Sequence, residues 1–488
     1  MLRVAIVHYH LKRGGVTRVI ENTLRGLDAL PKKIECVVLA GEVPEDCEFA
    51  DRAQMVEGLH YSNTQATTPA PEELLNRLRN AARKALGAAP DVWHIHNHSL
   101  GKNSAIPGVV SLLAESGEAL LLHMHDFAED GRPQNYKLNK TLAKFAPKIY
   151  PQTPRIHYAV LNGRDHSIFS ATDLDRSQLH QIPNAVEAER AKPNQAASQE
   201  IRNKLQAERL FLYPVRALRR KNLGEALLWS ALADPGDCFA TTLGPTNRNY
   251  TAAHDRWIKV AEENKLPIKF AIGQTHDFNF EDLISTAEAI ITTSITEGFG
   301  LAFLEPWLFG KPIHGRDLPP ITADFKAKGI ALETLYNHVS VPKDWVDVKA
   351  LETSIQRGLE EAYSVYETPL PEEAGARAIA AISPTPETID FGGLNETLQE
   401  SIIRRVVKDQ SARSSLTIGS LNRSISSQVI ETNAKQIRSH YGVSAYAEHL
   451  FTIYQQIANE PTAQTEYLDP KVILKAFLQP ENFRLLKT

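Results

Sequence analysis

Residues 289–306 read AIITTSITEGFGLAFLEP: an apolar run rich in β-branched residues, a turn punctuated by Gly298 and Gly300, then an apolar segment of helical pattern. The run at 289–293 has almost no polar alternation, which suits a strand covered on both faces, and hence a parallel sheet with crossover helices. A helix is expected to begin at about Gly300. Runs of the same character stand upstream at 210–215, 239–243 and 268–272, and another follows at 312–314. An earlier series lies at 3–8, 34–40, 92–96, 119–124, 158–161 and 180–182, with helical pattern between its members. The stretch 187–206 between the two series is polar, alanine-rich and carries Pro193. This alternation predicts an α/β protein with two doubly wound sheets joined near residue 190.

The length agrees, since 488 residues exceed what one hydrophobic core usually supports. The expected domains are 1–190 and 200–365, both Rossmann-like. Residues 366–488 open with clustered prolines, pass through a serine-rich stretch and end in helical pattern, chiefly at 429–457. They are expected to form a linker and a largely helical extension that packs back on the first domain. Lys and Arg number 54 against 58 Asp and Glu, a formal charge of −4, far from the basic excess that drives phosphate-backbone binding, so no nucleic-acid partner is expected. Hydrophobic residues at 42% and charged residues at 23% describe an ordinary globular chain. Three cysteines are too few for a disulfide framework or a four-cysteine zinc site, and reduced thiols in a cytoplasm are the economical reading. The start reads as a strand rather than a signal peptide. No apolar run of about 18 residues occurs, so no transmembrane segment is expected, while peripheral membrane contact stays open.

Three segments could carry chemistry. The first runs from His8 to Val19, HYHLKRGGVTRV, a strand, a loop and paired glycines, Gly14 and Gly15, opening an amphipathic helix. Glycine lets a backbone approach a ligand, and a helix N-terminus favours an anion, although the spacing is not the GxGxxG fingerprint and Gly-Gly also serves plain turns. The second, VRALRRKNL at 215–223, follows the first strand of the second series; Arg216 and Lys221 would clamp a diphosphate there, unless the run is a solvated basic loop. In the third, Glu297 stands at the mouth of the turn and Glu305 further along the expected helix. Their carboxylates suit vicinal hydroxyls, and the amides at Gly298, Phe299, Gly300 and Leu301 suit a phosphate. A capping Glu and an unrelated surface Glu would not explain the glycines around Phe299.

Taken together, GGVTRV, the IPNAV segment at 182–186, the Arg216 to Lys221 pair and the Glu297 to Glu305 pair within EGFGLAFLEPWLFGKPI resemble the retaining glycosyltransferases of family GT4 over about the first 330 residues. The resemblance implies the GT-B fold, two Rossmann-like domains facing a central cleft. It also implies transfer of a sugar from a nucleotide-diphosphate sugar to a hydroxyl acceptor, with retention of configuration. By the same resemblance Arg216 and Lys221 bind the donor diphosphate, Glu297 the transferred sugar and Glu305 the ribose, while the glycine loop approaches the phosphate and the acceptor. Val215 and Asn222 stand where the family usually has glycine, which leaves the shape of this loop in question.

The family often places a histidine at the end of the strand that here reads LLHMHDF, and His125, followed by Asp126, fits best as a catalytic residue touching the donor sugar. His123 and His125 share one face of that strand, as a packed pair would too. His94, His96 and His98, in HIHNH, are expected with Asp126 on the acceptor side, though burial in the sheet is equally open. The H-x-H spacings also suggest a metal-dependent hydrolase, but position 99 is Ser99, so an HxHxDH pattern is not met, and no metal ligand is assigned. No cofactor beyond the nucleotide sugar as co-substrate is expected. A GT-B sugar phosphorylase and a non-catalytic sugar-nucleotide sensor are the other readings.

Overall fold

The computed structural model describes residues 1–488 except 63–67, 246–249, 276–277, 417, 419–423 and 488. The described chain divides into two compact units: residues 1–186 with 362–368 and 439–479, and residues 187–361 with 369–438 and 480–488.

The first unit is built on a sheet of strands β1 (Leu2–His8), β2 (Ile34–Ala40), β3 (Ala53–Met55), β4 (Val92–His96), β5 (Leu120–Met124), β7 (Ile156–Val160) and β8 (Leu179–Gln181). Their order is β3-β2-β1-β4-β5-β7-β8 and every pairing is parallel. A short antiparallel pair, β6 (Pro151–Gln152) with β17 (Glu466–Tyr467), stands apart from it. Alternation along β1 feeds two cores. Ala5 and Val7 enter one with the helices Pro71–Leu86 and Ile106–Glu115, and Val4 and Ile6 enter the other with Gly15–Asp28 and Val443–Asn459. Both faces are therefore covered, which is why the strands read as continuous apolar runs.

The second unit repeats the plan with β9 (Arg209–Arg216), β10 (Asp237–Leu243), β11 (Ile268–Lys269), β12 (Ala289–Thr292), β13 (Ile313–Arg316) and β14 (Leu335–Tyr336). The order is β11-β10-β9-β12-β13-β14, again all parallel. An antiparallel pair, β15 (Ser340–Pro342) with β16 (Thr388–Asp390), completes it. The order of strands reverses between β1 and β4 in the first sheet and between β9 and β12 in the second. At such a switch point the loops leaving neighbouring carboxyl ends diverge to opposite faces, opening a crevice.

Two local expectations are corrected. The helical pattern at 429–457 forms two helices, Ser427–Tyr441 and Val443–Asn459, because Gly442 takes an extended backbone (φ −70°, ψ 157°) between them. No helix runs from Gly300. Its backbone is left-handed (φ 95°), a single 3-10 turn spans Leu301–Phe303, and the short helix Glu305–Phe309 starts afresh, with Pro306 at its first turn supplying a φ suited to a helix start. Glu305 therefore opens a helix rather than lying along one. The tail residues 369–438 are part of the second unit, and 439–479 part of the first.

Candidate functional site

At the switch point of the second sheet the loop after β9 meets the loop after β12. The Lys221 ammonium bonds the Glu297 carboxylate, and Arg220 Nη1 lies 3.3 Å from both Glu297 Oε2 and the Thr296 carbonyl. Both members of the Lys221–Glu297 pair are largely buried, with side-chain exposures of 12% and 10%. Burial works against ionising Glu297, yet Lys221 and Arg220 outweigh it and hold the carboxyl below its usual range. Burial lowers Lys221 from its usual value, with Glu297 opposing and Arg220 assisting. Arg216, the last residue of β9, is exposed, and Glu305 is half-buried.

The loop is held from beneath by hydroxyls. Thr293 Oγ1 donates to the carbonyls of Lys221 and Asn222, each at 3.0 Å, and Tyr213 Oη reaches the Lys221 carbonyl at 3.0 Å and Ser294 Oγ at 2.9 Å. Asn222 adopts φ 51°, ψ 55°, the left-handed region that glycine favours and that Asn tolerates better than most residues. The departure from the family's glycine thus keeps the backbone turn. Its side chain adds an anchor: Nδ2 donates to Glu225 at 2.8 Å and Oδ1 accepts from Gln399 at 2.8 Å. Val215 lies within strand β9, where no left-handed backbone is required. Arg219 turns away to a bidentate pair with Glu396, at 2.6 and 3.0 Å.

Around the Glu297 turn, Gly298 is exposed, whereas Phe299 is buried and meets Phe325 edge-on at 5.7 Å. The Phe299 ring thus packs to shape the turn. Gly300 is required twice over, by its φ and because a Cβ there would fall 2.7 Å from Ile321 Cγ2. The anion-binding helix end expected beside Leu301 reduces to the amides of one turn.

In the first unit Gly14 is extended (φ −178°) and caps the helix Gly15–Asp28 without a side chain. A Cβ on Gly15 would meet nothing within 4 Å, and one on Gly14 only the Lys12 carbonyl at 3.7 Å. Neither strain nor packing asks for glycine here, so the open space above the helix start is what the pair provides.

The histidines correct the acceptor-side expectation. His94, His96 and His98 are 0–1% exposed and offer no surface to a ligand, because H-x-H puts His94 and His96 on the face covered by the helix Val443–Asn459. His94 Nδ1 meets Tyr454 Oη at 2.6 Å and its Nε2 meets His123 Nδ1 at 3.1 Å; His96 Nδ1 meets His125 Nε2 at 2.8 Å. The rings stack, His94 on His123 at 11° and His96 on His125 at 24°. Burial, first among the causes, pushes His94 and His125 down to about 3 and His98 to about 4, and holds His8, His96 and His123 well below the usual value. Nitrogens of His94, His96 and His123 do approach within 4.8 Å of one another. His94 spends both ring nitrogens on Tyr454 and His123, and His96 Nδ1 is spent on His125, whereas His96 Nε2 and His123 Nε2 have no hydrogen-bond partner among the described residues.

His125 is 7% exposed. Asn97, itself left-handed at φ 56°, accepts from the backbone N–H groups of His125 and Asp126 at 2.7 and 3.1 Å and so fixes the end of β5. Asp126 is half-buried and bonded to Arg132. Sequence reasoning passed over Arg220, Thr293, Tyr213 and Asn97 as site residues. Only Asn97 carried a signal, an Asn directly after a strand.

No protein-family profile matches the chain. It is 26% identical over 353 residues to a mannosylglucosyl-3-phosphoglycerate synthase of Petrotoga mobilis, covering 67% of each chain. Among solved structures it is similar to Alr3699/HepE of Anabaena in complex with UDP, with a TM-score of 0.54, 12% identity and coverage of 93% of this chain and 100% of that one. The sucrose-phosphate synthase of Thermosynechococcus elongatus gives a TM-score of 0.54 at 14% identity, covering 94% and 99%. The structural neighbours are GT-B glycosyltransferases, and the fold of this chain is GT-B. Among the described residues no helix is long and apolar enough to cross a membrane.

Proposed function

We propose that this chain is a retaining, metal-independent glycosyltransferase of the GT4 type, which transfers a sugar from a nucleotide-diphosphate sugar to a hydroxyl. The observation that carries the reading is the Lys221–Glu297 pair, flanked by Arg220, at the switch point of the second sheet. A bound diphosphate draws Lys221, Arg220 and Arg216 to its oxygens, and the Glu297 oxygens released from Lys221 accept hydroxyls of the sugar. Glu305 takes the ribose hydroxyls. In a front-face displacement the bond from the anomeric carbon to the diphosphate breaks as the acceptor oxygen bonds the same face, and the acceptor proton passes to the leaving diphosphate. The cations stabilise the charge growing there. Donor contacts come from the second unit. The first unit supplies the hydroxyl acceptor's contacts, with the loop at Gly14 and Gly15, and contributes His125 to turnover.

The test is a thermal-shift screen of UDP, GDP and ADP and their sugars on the full chain, followed by product analysis with and without EDTA. One nucleotide class should stabilise the fold, as RT ln(1 + [L]/Kd) requires, and its sugar should be transferred with retained configuration in chelator. No stabilisation by any nucleotide, or activity lost in EDTA and restored by a divalent ion, overturns the reading. Release of sugar 1-phosphate from a disaccharide and phosphate would replace it with phosphorolysis.

A further inference from the structure

The ring of His125 is held from one side by a residue to which the transferase reading gives no task. His96 Nδ1 lies 2.8 Å from His125 Nε2, and the two rings stack at 24° with centres 5.1 Å apart. His94, 4.2 Å away, and His123, 5.2 Å away, pack against the His96 ring, and His123 also lies 4.3 Å from the ring of His125. The next residue, Asn97, accepts from the backbone N–H of His125 at 2.7 Å. The carboxyl end of β4 thus grips both the ring and the main chain at the end of β5. His96 is 1% exposed, and its Nε2 is buried with no hydrogen-bond partner among the described residues.

Both rings are neutral, because burial holds them well below the usual histidine value. Each therefore carries one N–H, which makes two hydrogens for four nitrogens. One hydrogen lies in the bond between the rings. The other stands either on His96 Nε2, a buried donor with nothing to accept it, or on His125 Nδ1. A buried N–H without an acceptor forfeits the hydrogen bond that water would supply, so the second hydrogen belongs on His125 Nδ1. Asn184 agrees with this, since its Oδ1 is otherwise unspent among the described residues and its side chain favours the proton on His125 against burial, as an oxygen facing a ring N–H does. We propose that His96 is a positioning residue: it donates from Nδ1 to His125 Nε2 and so holds His125 as the Nδ1–H tautomer, which presents a hydrogen-bond donor and no basic nitrogen to a hydroxyl of the donor sugar. The contact with the sugar rests on the transferase reading above; the tautomer does not.

The test is NMR of the full-length chain with isotopically labelled histidine, because the two-bond nitrogen–proton correlations of a neutral ring differ between its tautomers. The signals of His125 are those missing from His125→Gln. The parent should show the Nδ1–H pattern. His96→Leu, which removes the donor to Nε2, should lose that pattern or mix it with the other, and His96→Asn, which keeps an N–H donor at that place, should restore it. Turnover should fall roughly tenfold or more in His96→Leu and largely recover in His96→Asn, with the Kd of the bare nucleotide within about twofold of the parent in both. An Nε2–H pattern in the parent, an unchanged pattern in His96→Leu, or a His96→Asn chain with the pattern of His96→Leu overturns the proposal. If His96→Leu does not fold, the pattern of the parent decides alone. The Nδ1–H pattern in a parent that transfers no sugar would refute the transferase reading alone; full turnover in a His96→Leu chain of altered pattern would refute this one alone.

Discussion

At the residue scale Arg216 and Lys221, the two cations proposed to clamp the diphosphate, differ in what else they touch. Arg216 is exposed, so Arg216→Ala should lower turnover by about 30- to 1,000-fold, the range of one lost contact to a leaving group, with a melting temperature within about two degrees of the parent. Lys221→Ala should cost the same in turnover and stability as well, because it leaves the buried Glu297 with Arg220 alone. Steady-state rates and melting curves decide it, and equal stability in both variants would contradict the burial of the pair. Glycines divide in the same way. Gly15→Ala adds a Cβ to open space and should leave the fold unmoved while impairing turnover, whereas Gly300→Ala collides with Ile321 and should destabilise by about 2 kcal/mol or more. A Gly15→Ala protein of full activity would reduce the paired glycines to turn chemistry.

At the element scale the loop 219–222 is an outgrowth of a buried network. Arg316, the last residue of β13, meets Glu225 at 3.0 Å and Asp390 at 2.7 Å, and Glu225 also accepts from Tyr336 and Asn222 at 2.7 and 2.8 Å. Arg316 and Glu225 are 5% and 0% exposed, so removing one partner strands the other without water. Glu225→Ala should therefore destabilise by about 3–5 kcal/mol in urea titration. Glu396→Ala, which breaks the more accessible Arg219 pair, should cost about 1 kcal/mol. If the two variants proved equally stable, the network would not be what anchors the loop. Thr293, bonded to the carbonyls of Lys221 and Asn222, and the Asn222 side chain, bonded to Glu225, tie the backbone at Lys221 to that network.

At the scale of the whole molecule, the first unit hides neutral histidines at the ends of β1, β4 and β5. An unfolded histidine takes its proton near pH 6.5, but folded His94 and His125 do so only near 3. Between these values the unfolded state binds more protons, so stability is fully present above about pH 6.5 and is lost as the pH falls. Each such histidine removes about 1.4 kcal/mol per pH unit. His8, His94, His96, His98, His123 and His125 all lie in the first unit, which should unfold before the second on acidification from pH 7.5 to 5. Differential scanning calorimetry over that range checks it, and pH-independent melting would mean that the histidines are not held neutral.

Much of this was legible from residues alone. The apolar runs located both sheets because strands covered on two faces need no outside information to declare themselves, and spacing marked Arg216, Lys221, Glu297 and Glu305 as candidates in the segments that follow two of the strands. The pattern H-x-H likewise determined that His94 and His96 share a face. Which face, and that the helix Val443–Asn459 closes over it with Tyr454, depends on chain more than 300 residues distant, so the pattern by itself left an acceptor surface and burial in the sheet equally open. The break at Gly442 and the restart of the helix at Glu305 were equally out of reach, since a glycine is permissive of several backbones and packing selects one. Sequence determined the elements and the motif order, through local periodicity and side-chain chemistry. Tertiary structure alone decided strand order, the switch points and the burial of charge, because each is a sum over contacts between residues that the chain brings together only on folding.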